Sequence, residues 1–342
     1  METMTRLGSL ISRVSAKNID LATGAPHFPV RKRLSRQLVA AQELVDYPEL
    51  EGLPALREAI AEFHCRDLDL NHGVENILVT YGGMQGASLV CGHVLANGGE
   101  ALLPAPYWFQ FPHIVGNTPG GLRVVTTTQD NCYKLTPDLL SANLNSNTRL
   151  LILTNPNNPT GSLYSYEELD QLAQVLRDWP AVKILADQVY NGLVLDGPNY
   201  RPGPANHPLL AARTYTVDSM SKSFAMPGLR VGYIAAEPDE ILCLAQRLRF
   251  SSLGVNYGLQ RAALRALSLR QEIVFNIVTL ARNRRDAAAC YLNSVPHLDL
   301  TIPPAGYYFF VDISHWIGGR TPDGRVVLND TVLAEFLAEN AG

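Results

Sequence analysis

The stretch Thr214-Tyr215-Thr216-Val217-Asp218-Ser219-Met220-Ser221-Lys222-Ser223-Phe224-Ala225-Met226-Pro227-Gly228-Leu229-Arg230-Val231-Gly232 carries the signals that organise the whole chain. Thr214 to Asp218 reads as a short β-strand, and Val231 to Ala235 as another. Between them a lysine sits among serines, and an arginine flanked by glycines follows eight residues later. The same alternation of apolar strand and polar turn extends upstream. Asn76 to Thr80, Leu150 to Thr154 and Val182 to Ala186 are short apolar runs. Met84 to Leu95 and Ser165 to Leu176 have helical patterning. Strands separated by helices predict an α/β architecture with a mostly parallel sheet.

In such sheets ligands gather beyond the carboxyl ends of the strands. Four turns fall directly after predicted strands: Gly82-Gly83, Asn155 to Gly161, Asp187 to Tyr190, and Ser219 to Lys222. Their convergence on one site is the main expectation. Downstream, Glu237 to Ala288 is largely helical in pattern. Tyr307 to Val311 reads as a strand, Ser314 to Arg325 as a loop, and Thr331 to Glu339 as a last helix.

With 342 residues, 46% of them apolar, the chain can build a large core in one or two domains. Its 28 basic and 32 acidic side chains leave a formal charge of -4, with no basic stripe of the kind nucleic acids require. The five cysteines are widely spaced without a CxxC pair, which argues against a disulfide framework or a structural zinc site. The eight histidines form no HExxH or other ligand spacing, so no metal is expected. Met1 to Ser15 lacks a basic leader followed by an apolar block. No run approaches the ~18 apolar residues of a membrane span. A soluble cytoplasmic protein is the expectation.

The chemistry centres on Lys222. A lysine amine can condense with an aldehyde to form a Schiff base. Arg230 offers a planar fork of donors that suits a phosphate, and Ser219 adds a hydroxyl. Together they point to a phosphorylated aldehyde, pyridoxal 5'-phosphate. To accept a proton the lysine must be neutral, so its pKa must fall from about 10.4. Gly82-Gly83-Met84-Gln85-Gly86 opens a helix and suits either a phosphate seat or a tight packing turn. Asn158 could reach a ring oxygen or simply shape its proline-rich turn. Asp187 could pair with a pyridine nitrogen and Tyr190 with a ring oxygen, or both could be ordinary strand-end residues. Tyr107 and Trp108 suit either ring stacking or core packing.

On these motifs, in this order and spacing, the chain resembles the class I/II aminotransferases of the fold-type I pyridoxal-phosphate superfamily. The resemblance runs from about Leu21 to the chain end. It implies a three-layer large domain with a mostly parallel central sheet, plus a small α+β domain that is incomplete at the C-terminus. The corresponding boundaries are 1–40 for the N-terminal segment and part of the small domain, 41–265 for the cofactor-binding domain, and 266–342 for the small domain. It implies Lys222 as the Schiff-base lysine, Asp187 at the pyridine nitrogen, and Asn158 with Tyr190 at the ring 3-oxygen. Tyr107 would stack on the ring, and Gly83, Met84, Ser219 and Arg230 would hold the phosphate. Tyr47 would reach the phosphate of the neighbouring subunit, which implies a homodimer. Gly24 and Asn158 would face the substrate. The implied reaction moves an amino group between an amino acid and a 2-oxo acid.

Two departures stand out. Asp187 is followed by Gln188 where the family usually has glutamate. Family chains also continue past the final helix to an arginine that binds the substrate α-carboxylate, whereas this sequence stops at Gly342. An absent tail, a substitute such as Arg320 or Arg325, and a substrate without that carboxylate all remain open. The same cofactor parts also serve lyases, decarboxylases and other biosynthetic enzymes. A non-catalytic regulator that keeps the fold is the remaining rival.

Overall fold

The computed structural model describes residues 47–198, 200 and 202–340. These fall into two compact units. The larger holds residues 47–284 with Pro303–Tyr308, and the smaller holds Arg285–Ile302 with residues 309–340.

The larger unit is built on a seven-stranded sheet. Its strands are β1 (Ile77–Thr80), β2 (Glu100–Ala105), β3 (Gly121–Thr126), β4 (Thr148–Thr154), β5 (Lys183–Asp187), β6 (Thr214–Ser219) and β7 (Gly232–Ala235). Their order is β1-β7-β6-β5-β4-β2-β3. Only β7 runs against its neighbours, β1 and β6. Two of these strands carry no clear sequence signal. β2 contains Pro104, whose missing N–H falls beyond the short ladder that β2 shares with β4. β3 lies at the edge and is exposed along most of its length, so it shows no apolar run.

Among the described residues, the helices of this unit are α1 (Pro54–Asp67), α2 (Gly82–Val94), α3 (Phe111–Gly116), α4 (Pro137–Asn143), α5 (Tyr166–Leu176), α6 (Pro238–Arg249) and α7 (Tyr257–Ser268). A longer helix, α8 (Arg270–Leu292), continues into the smaller unit. α5 shows how local sequence sets a boundary. Ser165 Oγ accepts from the Glu168 N–H while Glu168 returns to the Ser165 N–H, a reciprocal cap at the predicted start.

Alternate strand residues point to opposite faces of the sheet. Leu78, Leu150, Ile152, Leu185 and Val217 pack on one side with α2, α3 and α6. Ile77, Val79 and Tyr233 pack on the other with α1 and α7, and Leu151, Leu153 and Ile184 with α4 and α5. The sheet is therefore covered on both sides, as a mostly parallel sheet must be.

In the smaller unit β8 (Asp299–Leu300) pairs antiparallel with β9 (Val311–Asp312), and α9 (Asp330–Asn340) follows. Arg325 there pairs with Asp323 and Glu339, and Arg320 donates to the Gly324 carbonyl at 2.8 Å. The strand expected over Tyr307 to Val311 is cut short. Ala305 instead bridges to Val194, and Gly306 takes a positive φ of 73°, which turns the chain before β9 begins.

Candidate active site

Because β7 alone is reversed, β1, β2, β4, β5 and β6 all end at the same edge of the sheet, and β7 begins there. The four turns singled out from sequence all leave this edge, as does the segment after β2 that carries Tyr107.

The glycine turn after β1 meets the arginine that precedes β7. Gly82 has φ of +76°, and a Cβ there would come within 2.7 Å of Arg230 Nη2. A Cβ on Gly83 would lie 3.2 Å from Val189 Cγ1 and 3.9 Å from Ser219 Cβ. A Cβ on Gly232 would sit 2.8 Å from the Gly83 nitrogen. Side chains at these positions would fill the cradle. The first turn of α2 presents amides that the helix itself does not use, at its positive end. The Tyr81 N–H is capped by Gln85 Oε1 at 2.7 Å, while Gly83 and Met84 begin the helix. Arg230, itself in the left-handed region at φ +54°, is braced by the carbonyls of Pro227 and Tyr81. Backbone amides, a guanidinium and the buried Ser219 hydroxyl form a donor set that fits a phosphate dianion.

Asp187 ends β5 and is buried. Burial pushes its carboxyl up to about 6, opposed by the Val189 N–H at 3.3 Å and by the charge of Lys222. A carboxylate this poorly compensated suits a cationic partner such as a protonated pyridine nitrogen. Gln188 beside it is also buried, and a neutral amide there avoids a further buried charge.

Lys222 lies in the turn after β6. Its Nζ is 5.6 Å from the centre of the Tyr190 ring and 6.0 Å from that of Tyr307. Burial lowers the amine pKa, Asp187 opposes the shift, and Arg230 adds to it. Tyr190 is buried, and its hydroxyl accepts from Asn158 Nδ2 at 3.4 Å. Burial raises this phenol well above its ordinary range. Lys222, Asp187, Tyr190 and Asn158 thus come together with Ser219, Arg230, Gly83 and Met84 at one edge.

Tyr107 follows β2, half-buried against the core face that holds Trp108. Tyr47 is 81% exposed. Gly24 lies outside the described residues.

Sequence reasoning missed two neighbours. Asp218 is enclosed just before Ser219. Burial raises its carboxyl to about 7, while the Ser219 N–H at 2.6 Å and the Tyr233 hydroxyl at 3.1 Å oppose that shift. An acid within an apolar strand was its only signal. Tyr307 reaches Lys222 from far along the chain, and Gly306 before it was the available cue.

Residues 16–340 match the family described as aminotransferase class I and II. The chain belongs to the class I and II aminotransferases. It is a pyridoxal-phosphate-dependent enzyme of that family. It is 32% identical to the aspartate/prephenate aminotransferase of Cereibacter sphaeroides, covering 95% of this chain and 82% of that one. It is 29% identical to the probable aspartate/prephenate aminotransferase of Rickettsia conorii, over 94% of this chain and 81% of that one. The crystal structure of an aspartate aminotransferase from Rhizobium meliloti superposes with a TM-score of 0.90 at 28% identity, covering 99% and 85%. These aminotransferases have the fold-type I architecture found here. Among the described residues no helix is long and apolar enough to cross a membrane.

Proposed function

We propose that this aminotransferase transfers the amino group of an acidic amino acid to a 2-oxo acid, with Lys222 as its central residue. The observation that carries the reading is the placement of the Lys222 amine about 6 Å from two adjoining tyrosine rings, in the field of buried Asp187. The acidic donor is supported by the names of the aspartate and aspartate/prephenate relatives.

Pyridoxal phosphate supplies an aldehyde that captures amines and a ring that stabilises negative charge at an amino acid's α-carbon. The residues do the rest. Gly83 and Met84 amides, Ser219 and Arg230 hold the phosphate. Asp187 holds the proton on the ring nitrogen and keeps the ring electron-poor. Asn158 and Tyr190 donate to the ring 3-oxygen, and Tyr107 covers the ring face. Lys222 would hold the proton taken from the substrate α-carbon and keep it available for return. Its lowered pKa raises the neutral fraction needed for that transfer.

A homodimer with shared sites is part of the reading. Tyr47, Phe250, Leu253 and Met84 are exposed at 81%, 89%, 47% and 45%. They share a neighbourhood, because Gly254 approaches Pro48 and Glu49, and Gln85 Nε2 donates to Ser252 Oγ at 3.1 Å. That face adjoins the phosphate seat, and Tyr47 on it suits a partner's site. A cytoplasmic location is supported by the five free cysteines, Cys65, Cys91, Cys132, Cys243 and Cys290.

The test is the absorption spectrum of the holoenzyme with a panel of amino acids. Aspartate or glutamate should bleach the visible band, and a 2-oxo acid should restore it. Bleaching by apolar donors alone would remove the acidic preference. Ammonia release without any oxo acid would replace transfer with elimination.

A further inference from the structure

Pro303–Tyr308 belongs to the larger unit although its chain neighbours on both sides do not. Backbone contacts hold it there. The Leu195 N–H donates to the Pro304 carbonyl at 2.8 Å, the Gly306 N–H donates to the Leu193 carbonyl at 2.9 Å, and Ala305 bridges to Val194. Gly161 closes the other side: a Cβ there would lie 2.5 Å from the Ala305 carbonyl oxygen and 2.7 Å from Pro303 Cβ. The segment is thus wedged between the turn that carries Asn158 and the chain leaving Tyr190.

This wedge delivers Tyr307. Its ring meets that of Tyr190 edge to face, with centroids 5.5 Å apart, and both ring centres lie within 6.0 Å of Lys222 Nζ. Its hydroxyl is buried and makes no well-formed hydrogen bond among the described residues. The Tyr190 hydroxyl is near enough to influence its ionisation without being aligned to it, and Tyr190 is itself faced by Tyr308, which bonds it, and by Asp187. A buried hydroxyl left unpaired is costly, so a partner that meets it in another state stabilises that state.

We infer that Tyr307 is a positioning residue that acts through Tyr190, donating its hydroxyl proton to the Tyr190 oxygen once Tyr190 has turned to the ring oxygen of the cofactor. A phenol that accepts a hydrogen bond becomes a stronger donor in turn. Tyr190 therefore holds the ring oxygen in its anionic form more firmly when Tyr307 stands behind it. The inference rests on the proposed role of Tyr190.

The experiment compares wild type, Tyr307→Phe, Tyr190→Phe and the double variant as holoenzymes. It measures the pH midpoint of the visible absorption band. Tyr190→Phe should raise the midpoint, because the anionic ring oxygen loses its donor. Tyr307→Phe should raise it by about half a pH unit, the scale of one net hydrogen bond. In the Tyr190→Phe background the Tyr307 change should add nothing. Removing an unpaired hydroxyl should leave the melting temperature of the cofactor-free protein no lower than wild type. A structural role would lower that temperature and leave the midpoint in place. A shift for Tyr190→Phe with none for Tyr307→Phe overturns this inference alone. No shift for Tyr190→Phe overturns both this and the role given to Tyr190. An equal Tyr307 effect in both backgrounds overturns the route through Tyr190.

Discussion

The two ends of strand β5 hold charge in opposite ways. At its start, Lys183 reaches Glu240 at 2.6 Å, and Tyr215 and His93 bond the same carboxylate at 2.6 and 2.9 Å. Burial alone would raise the Glu240 pKa, but these three partners hold it down to about 2. At its end, Asp187 has one long backbone donor and a lysine at a distance, and its pKa rises to about 6. One carboxylate is saturated within the protein, while the other is sparsely compensated, as the proposed cofactor role of Asp187 requires.

Substitutions at the two ends should therefore separate activity from stability. The largest effect belongs to Lys222→Ala. It should lower turnover by at least ~10⁴-fold, as expected when nucleophile and proton carrier are lost together. Its melting temperature without cofactor should stay near wild type. Asp187→Asn should lower turnover by roughly 10²-fold, the scale of removing one preorganised electrostatic partner. Steady-state kinetics with aspartate and a 2-oxo acid measure both. At the other end, Glu240→Gln should leave turnover within about twofold. It should cost about 2 kcal/mol in urea unfolding at pH 7, where a charged hydrogen-bond acceptor is lost. A large activity loss for Glu240→Gln would erase the contrast.

The smallest expected effect is in the pH dependence of the cofactor-free protein. A carboxyl whose folded pKa is raised binds more protons folded than unfolded, so stability falls as pH rises through the gap. For Asp187 that window runs from its ordinary value of 3.8 to about 6, and for Asp218 from 3.8 to about 7. Glu240 has the opposite sign. Its contribution is complete above its ordinary value of 4.5 and is lost as pH falls toward about 2. Chemical denaturation at pH 5 and pH 8 should show Asp187→Asn losing less stability across that interval than wild type. A slope unchanged by the substitution would mean that Asp187 is compensated after all.

Much of this was legible in the chain because the relevant contacts are local. β1, β4, β5, β6 and β7 announce themselves as apolar runs, since both faces of the sheet are covered. Each site turn follows its strand directly, so its place at the ligand edge follows from strand direction. β2 and β3 were hidden by Pro104 and by edge exposure. The raised pKa of Asp187 is a property of its surroundings and is not encoded in the motif. Tyr307 was illegible for another reason. Its position depends on backbone pairing with Leu193 to Leu195, remote in sequence, and an expected strand over Tyr307 to Val311 pointed elsewhere. Gly24 lies outside the described residues, and Tyr47 is exposed, with no contact among those residues that would mark a role.

The most direct test of the central claim is reductive trapping of the holoenzyme with borohydride, followed by peptide mapping. One pyridoxyl group per chain is expected, on the peptide that contains Lys222, and none after prior conversion with excess aspartate. Labelling of any other lysine, or a visible band that Lys222→Ala leaves intact, would contradict it.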